Sequence, residues 1–245
     1  MKTWIDLHIH SCLSPCAEED MTPNNIVNMA LLKGLDMIAV TDHNSAGNVS
    51  AAMEAGRRAG LIVVPGMELC VSEEFHLICL FPDLSGALAF QEEVYQLLSP
   101  LKNREDIFGS QIRMDADDQE IGREDRLLSG ACGMDSETAI RLIRELGGVV
   151  LPAHVNRESF SMLNTLGAIP SEYGFHHLEC SKSCKLNEFL GEHPDLKQYP
   201  FLRSSDAHFL WDILEQEVCL DLPDKTISAL LQYLSHPISR ASYDL

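Results

Sequence analysis

Apolar and polar positions alternate along this chain in blocks that read as strand, helix, strand. Trp4 to Ile9 predicts a first strand, and Thr22-Pro23 then supplies an N-cap and a first-turn proline for a helix. The apolar face of that helix uses Ile26, Val27, Ala30 and Leu31, and Gly34 ends it. Asp36 to Thr41 predicts a second strand, Gly47 to Ala59 a second helix, and Leu61 to Val64 a third strand leading through Pro65-Gly66 to Glu68. Phe75 to Phe81 predicts a fourth. Such a rhythm implies parallel strands joined by right-handed crossovers.

The middle of the chain is less regular. A helix over Gly86 to Leu98 is followed by Gln111 to Met114, the acidic turn Asp115 to Asp118 and Gln119 to Ile121, a hairpin with a solvated turn. Residues 82–134 therefore read as a helix-hairpin insertion. The rhythm returns with a helix over Asp135 to Leu146 and strands over Gly148 to Ala153, Phe175 to Cys180 and Pro200 to Ser204. A closing strand over Glu217 to Leu222 and a helix over Asp224 to Leu234 complete it. No repeat or low-complexity linker divides the chain, so one α/β domain over 1–245 is expected.

Charge narrows the partners. The chain has 18 basic and 37 acidic residues, a formal charge of -19, which argues against an extended nucleic-acid surface or an anionic membrane. No apolar run approaches the roughly 20 residues that span a bilayer, and no leader pattern opens the chain, so a cytoplasmic protein is expected. Its eight cysteines are scattered and read as reduced thiols. Cys12/Cys16 and Cys180/Cys184 lack the spacing of a separate cysteine cluster.

Metal-ligand residue types recur where strands give way to turns: His8-Ile9-His10, Thr41-Asp42-His43, Glu68, His154 and Asp206-Ala207-His208. On a strand, side chains alternate, so His8 and His10 point the same way and can share a site. Packing alone does not place imidazoles and carboxylates repeatedly at strand ends, whereas a multinuclear metal site requires it. Near these segments, His176 and His177 adjoin Glu179, and as neighbours they cannot both face one centre. Among the basic residues near these segments, Arg157, three residues after His154, is the best candidate to hold an anionic group, ahead of Lys182 and Lys185.

Asp6 to Ser11, Gly34 to His43, Gly66-Met67-Glu68, Ala153-His154 and Ser205 to His208 resemble, in order, the motifs of the PHP (polymerase and histidinol phosphatase) superfamily of metal-dependent phosphoesterases. The resemblance implies a distorted (β/α)7 TIM-like barrel with two or three divalent ions, Zn, Fe or Mn, at one end. It implies a first metal on His8, His10, Glu68 and Asp206, a second on Glu68, His76 and His154, and a third on His43 and His208. The family commonly continues after the HxH pair with Ser-Asp-Gly, but here the chain reads Ser14-Pro15-Cys16-Ala17-Glu18-Glu19. The last ligand of the third site is thus open between Cys16 and Glu18 or Glu19, or the site is incomplete; a thiolate would favour Zn or Fe over Mn.

The implied reaction is hydrolysis of a small phosphomonoester, a nucleotide or the end of a short oligonucleotide by metal-bound hydroxide. In that scheme Asp42 orients a ligand imidazole from behind. A non-catalytic metal-binding regulatory module and an amidohydrolase-like metal hydrolase are the competing readings. Substrate, metal identity and oligomeric state are left open by the sequence.

Overall fold

The computed structural model describes residues 1–236, so the single unit expected over 1–245 is followed as far as His236. It runs β1 (Lys2–Ile9), α1 (Pro23–Leu32), β2 (Met37–Val40), α2 (Val49–Ala59), β3 (Ile62–Cys70), β4 (His76–Leu80), α3 (Leu84–Leu97), α4 (Glu105–Phe108), β5 (Ile112–Met114) and β6 (Glu120–Arg123). It continues with α5 (Ser136–Glu145), β7 (Val149–Pro152), α6 (Met162–Leu166), β8 (Leu178–Ser181), α7 (Leu186–Glu192), β9 (Phe201–Ser204), β10 (Cys219–Asp221) and α8 (Ile227–Leu234). No helix among the described residues is long and apolar enough to cross a membrane.

The result is an α/β fold around a curled six-stranded sheet of order β10-β1-β2-β3-β4-β7, with β8 and β9 forming a separate parallel pair. A few backbone hydrogen bonds tie that pair to β1 and to the turn after β7. The Val155 N–H donates to Glu179 O at 3.0 Å, and Ile9 bridges Ala207 in parallel. One side of β2 and β3 (Ile38, Val40, Val63) packs with Ile26, Val27, Ala52 and Ala55 of α1 and α2. The other (Met37, Ala39, Val64) packs with Ile78, Leu80, Leu151 and Leu202. Within 82–134, α3 sends Ala87, Phe90 and Val94 into the core, while β6 is largely exposed.

Three local expectations need correction. The strands are not all parallel: β4 lies antiparallel between β3 and β7. Five residues, 71–75, join β3 to β4, and parallel neighbours need a crossover of a dozen or more, so a hairpin is forced. The third strand also does not stop at Pro65-Gly66 but runs on to Cys70. Gly66 permits this, because a Cβ there would stand 2.8 Å from Thr41 Cγ2 and 3.1 Å from Cys79 O. Finally, the acidic turn is not merely solvated. Asp118 accepts from Thr22 Oγ1 at 2.7 Å and from the Asn24 N–H at 3.0 Å, at the start of α1, and Asp117 pairs with Arg58 of α2 at 2.6 Å.

Asn48 explains how the hairpin is held. It precedes α2 without capping it, because its amide is used elsewhere: Nδ2 donates to Ile112 O at 2.9 Å and Oδ1 accepts the Met114 N–H at 2.8 Å. The hairpin is thereby fixed beside the residues that follow β1.

His177 is fully buried, with Nδ1 3.1 Å from Leu234 O at the end of α8 and Nε2 without a hydrogen-bond partner among the described residues. Burial pushes its pKa down to about 4, against the smaller opposing effect of the Leu234 carbonyl. The unfolded chain therefore takes up a proton near pH 6.5 that the folded one refuses until about pH 4, so stability falls as pH falls through that window. The loss amounts to about 3 kcal/mol. Urea unfolding of His177→Gln should show a shallower decline between pH 6.5 and 4 than the wild type; an unchanged slope would remove His177 as its source.

Candidate metal centre

The C-terminal ends of β1, β2, β3, β7 and β9 meet at one rim. The antiparallel β4 brings its first residue, His76, to the same rim, which is why this histidine starts a strand rather than ending one. In the hairpin register Glu68 opposes Ile78 and His76 opposes Cys70, so Glu68 and His76 are diagonal neighbours on one face. His154 and Asp206 follow β7 and β9 with φ of 27° and 51°, left-handed backbone that non-glycine residues seldom adopt. Two such residues at one site mark turns bent to aim side chains.

Glu68 is the hub. Its Oε1 lies 2.8 Å from His76 Nδ1, 3.1 Å from His8 Nε2 and 3.2 Å from His154 Nε2; its Oε2 lies 2.8 Å from His43 Nδ1 and 3.5 Å from His10 Nε2. Asp206 Oδ1 is 3.0 Å from His10 Nε2 and 3.2 Å from His8 Nε2. Three donor sets emerge: His8, His10, Glu68 and Asp206; His43, Glu68 and His76; and His10, His43 and His208. His154 adjoins the second through Glu68.

These donors fit divalent cations on two counts. Although His43 Nδ1 and Glu68 Oε2 are only 2.8 Å apart, neither makes a hydrogen bond among the described residues, and His76 Nε2 and His154 Nδ1 are likewise buried without partners there. Ligands bound at about 2.0–2.2 Å to a shared cation are held this close without a proton between them. Charge balance points the same way. Burial raises the Glu68 carboxyl, but His76, His8 and His43 hold it well below the usual range. Asp206 is likewise held down by His8 and His10 against burial. Buried carboxylates require compensating cations, and Arg157 at the rim supplies one guanidinium, Nη1 to Asp206 Oδ2 at 2.6 Å.

Sequence reasoning missed two residues behind the imidazoles. Glu179, 2 % exposed within β8, places both carboxylate oxygens 3.1 Å from His8 Nδ1 and accepts the His154 N–H at 2.9 Å. The Nδ1–H of His8 therefore points to Glu179 and the Nε2 lone pair points to Asp206 and Glu68. His176 and His177 drew notice instead, but His177 packs under α8. The usable signal was an acidic residue inside an otherwise apolar strand run.

Ser14 does the same for His10. Its hydroxyl donates to Asp42 Oδ1 at 2.7 Å, so towards His10 Nδ1, 2.9 Å away, it can only accept. His10 is thus protonated on Nδ1, with the Nε2 lone pair facing Asp206. Asp42, fully buried, also accepts from the Ser11 N–H and Oγ at 2.7 and 2.6 Å. It orients the ring of His10 through Ser14, rather than that of its neighbour His43.

At the third set, Cys16 Sγ lies 3.1 Å from His208 Nε2 and 3.3 Å from His43 Nε2. Burial pushes its thiol up, but the hydrogen bonds and charges of His208 and His43 bring it down to about 6. Glu19 turns away to Ser110 Oγ at 2.6 Å, and Glu18 meets His208 through its backbone N–H. Lys182 and Lys185 are engaged elsewhere, with Asp212 and Glu188.

The chain matches the PHP domain family over residues 6–138; His154, Asp206 and His208 lie beyond that stretch. It is 34% identical over 74 residues to a 3',5'-nucleoside bisphosphate phosphatase of Chromobacterium violaceum, covering 30% of this chain and 25% of that one. It is 34% identical over 64 residues to a phosphoribosyl 1,2-cyclic phosphate 1,2-diphosphodiesterase of Eggerthella lenta, covering 26% and 23%. Both alignments span about a quarter of the relative. In fold it is similar to a lesion-specific endonuclease of Pyrococcus furiosus, with TM-score 0.67, 18% identity, and coverage of 96% of this chain and 56% of that one. Since a fold neighbour is an endonuclease, the net charge does not by itself set nucleic acid aside.

Two outcomes follow from this geometry. Glu179→Gln can donate its amide to His8 Nδ1 and so turn an N–H towards the donors; zinc affinity by competitive chelation should fall about 10–100-fold, and unchanged affinity would refute the orienting role. In metal-free protein iodoacetamide should modify Cys16 ahead of Cys12, Cys70 and Cys180, which burial holds at about 12. Its rate should rise through pH 6 and level off, as the thiolate forms above its pKa; a rate still climbing beyond pH 8 would contradict this.

Proposed function

Because this chain belongs to the PHP domain family, we propose that it is a metal-dependent phosphoesterase acting on a small phosphomonoester or nucleotide. The observation that carries the reading is the convergence on Glu68: five imidazoles lie within 3.5 Å of one buried carboxylate, and the 2.8 Å contact of its Oε2 with His43 Nδ1 is not a hydrogen bond. We read the seven strands β1, β2, β3, β4, β7, β8 and β9 as a distorted barrel whose one rim collects these donors.

In this proposal His8, His10, Glu68 and Asp206 hold one ion and Glu68, His76 and His154 a second. His43, His208 and Cys16 hold a third, with Cys16 preferred to Glu18 and Glu19 because its sulfur adjoins both imidazoles. Divalent ions so held would lower the pKa of water and neutralise phosphoryl oxygens. The protein's own part is orientation and charge. Glu179 and the Asp42-Ser14 pair fix the rings of His8 and His10, so that their lone pairs face inward without a reorganisation cost.

Arg157 stands at the mouth with its side chain 44% exposed. Its guanidinium carries five donors, so while Nη1 holds Asp206 the others can bind a phosphoryl oxygen. That double duty orders the substrate's phosphate relative to Asp206. The names of the curated relatives, a bisphosphate phosphatase and a cyclic phosphodiesterase, support a phosphate ester as substrate. They do not choose between mono- and diester. Zn or Fe is favoured over Mn if Cys16 ligates.

The test is protein loaded separately with Mn, Zn and Fe, its metal content measured, and assayed on a panel of phosphorylated metabolites and nucleotides. His10→Ala and Asp206→Ala should lose both bound metal and turnover, the latter by more than the about 10–100-fold typical of residues behind a ligand. Full occupancy with no turnover on any phosphate ester would favour a non-catalytic module, and amide hydrolysis alone an amidohydrolase.

A further inference from the structure

The loop after β7 carries a second feature at the mouth that the chemistry above does not use. Phe160 is 47% exposed, and its ring stacks on His76 with centroids 4.9 Å apart and planes 22° from parallel. Its backbone sits at φ 54°, left-handed conformation that is costly for a bulky aromatic residue. Its carbonyl accepts the His76 N–H at 3.0 Å. A strained backbone thus fixes a large apolar ring against a candidate ligand while leaving much of its surface in water.

Packing does not account for this. A ring serving only the core would be buried, whereas nearly half of this one faces water. Strain retained at an active-site loop is commonly spent on holding a group for a ligand. Three residues earlier the same loop places the Arg157 guanidinium on Asp206. One segment therefore presents a phosphate-binding donor and a flat aromatic face on either side of the donor cluster.

We propose that Phe160 is a stacking platform for the planar base of a nucleotide whose phosphate sits at the metal centre beside Arg157, so that the substrate is a nucleotide rather than a sugar or polyol phosphate. Aromatic side chains bind bases of any identity by stacking, since each base offers a π-face. The platform selects a base without reading which one. The inference rests on the phosphoesterase reading, and its test is arranged to separate the two.

The probes are the phosphonate isosteres of adenosine 5'-monophosphate and ribose 5-phosphate, in which a methylene replaces the ester oxygen so that neither is hydrolysed. Calorimetric titration into zinc-loaded wild type should give the nucleoside phosphonate about tenfold or more higher affinity. Phe160→Leu, which keeps an apolar cover on His76, should reduce that affinity to the level of the sugar phosphonate and leave the sugar phosphonate and zinc content unchanged. Phe160→Tyr should retain the preference. Equal affinities in the wild type, or an equal loss for both probes in Phe160→Leu, would overturn the stacking role while leaving the phosphate site standing. Binding of neither probe by fully loaded protein would overturn the phosphoesterase reading and this inference with it.

Discussion

One buried carboxylate sets the terms for the rest of the fold. Glu68 is 1% exposed and faces five imidazoles, and an isolated carboxylate in such a place would cost many kcal/mol of lost hydration. The surrounding histidines, with the cations proposed to bind among them, are what make that position tenable, so in that proposal folding and metal affinity draw on the same contacts. The fold pays locally elsewhere: left-handed backbone at His154 and Asp206, and a glycine at 66 where β3 presses against Thr41 and Cys79.

The arrangement is layered. Inner nitrogens face Glu68 and Asp206, while outer nitrogens or intermediaries reach Glu179 and Asp42. The outer layer matters because a neutral imidazole has two tautomers, and only one leaves its lone pair on the inner side. Glu179 also joins distant pieces, since its oxygens hold both His8 of β1 and the backbone after β7. The orientation of His8 and the link between β1, β8 and the turn after β7 are therefore one set of bonds.

Much of this could be read from the chain alone, for a physical reason. His8 and His10, His43, Glu68, His154, Asp206 and His208 lie at the ends of apolar runs, and strand periodicity is a local property. The structure brings these residues together, along with His76 and Cys16. What escaped depended on tertiary closure or on chain reversal. Nothing near Glu179, Ser14 or Asp42 states which imidazole it will meet. The direction of β4 was legible in the five residues before it, but the alternating rhythm was extended past a turn too short for a crossover. Asp118, likewise, looked like part of a solvated acidic run because the start of α1 that it caps is far away in sequence.

Cys16 and His43 tie the outermost donors to this hub. His43 offers Nδ1 to Glu68 and Nε2 to Cys16, but a neutral ring has a single lone pair. Whichever side takes it, the other receives an N–H. If the lone pair goes outward, an N–H is turned towards Glu68, where the 2.8 Å contact is not shaped as a hydrogen bond. If it goes inward, the outer set is left with His208 and the Cys16 sulfur, too few donors to hold a hard ion strongly. A thiolate held near pH 6 bears on that balance, since it adds charge and a soft donor where the imidazole contributes least. The substitution of a cysteine at this point in the chain thus reaches further than one ligand: it bears on which nitrogen of His43 is free, and so on how tightly the outer donors are coupled to Glu68.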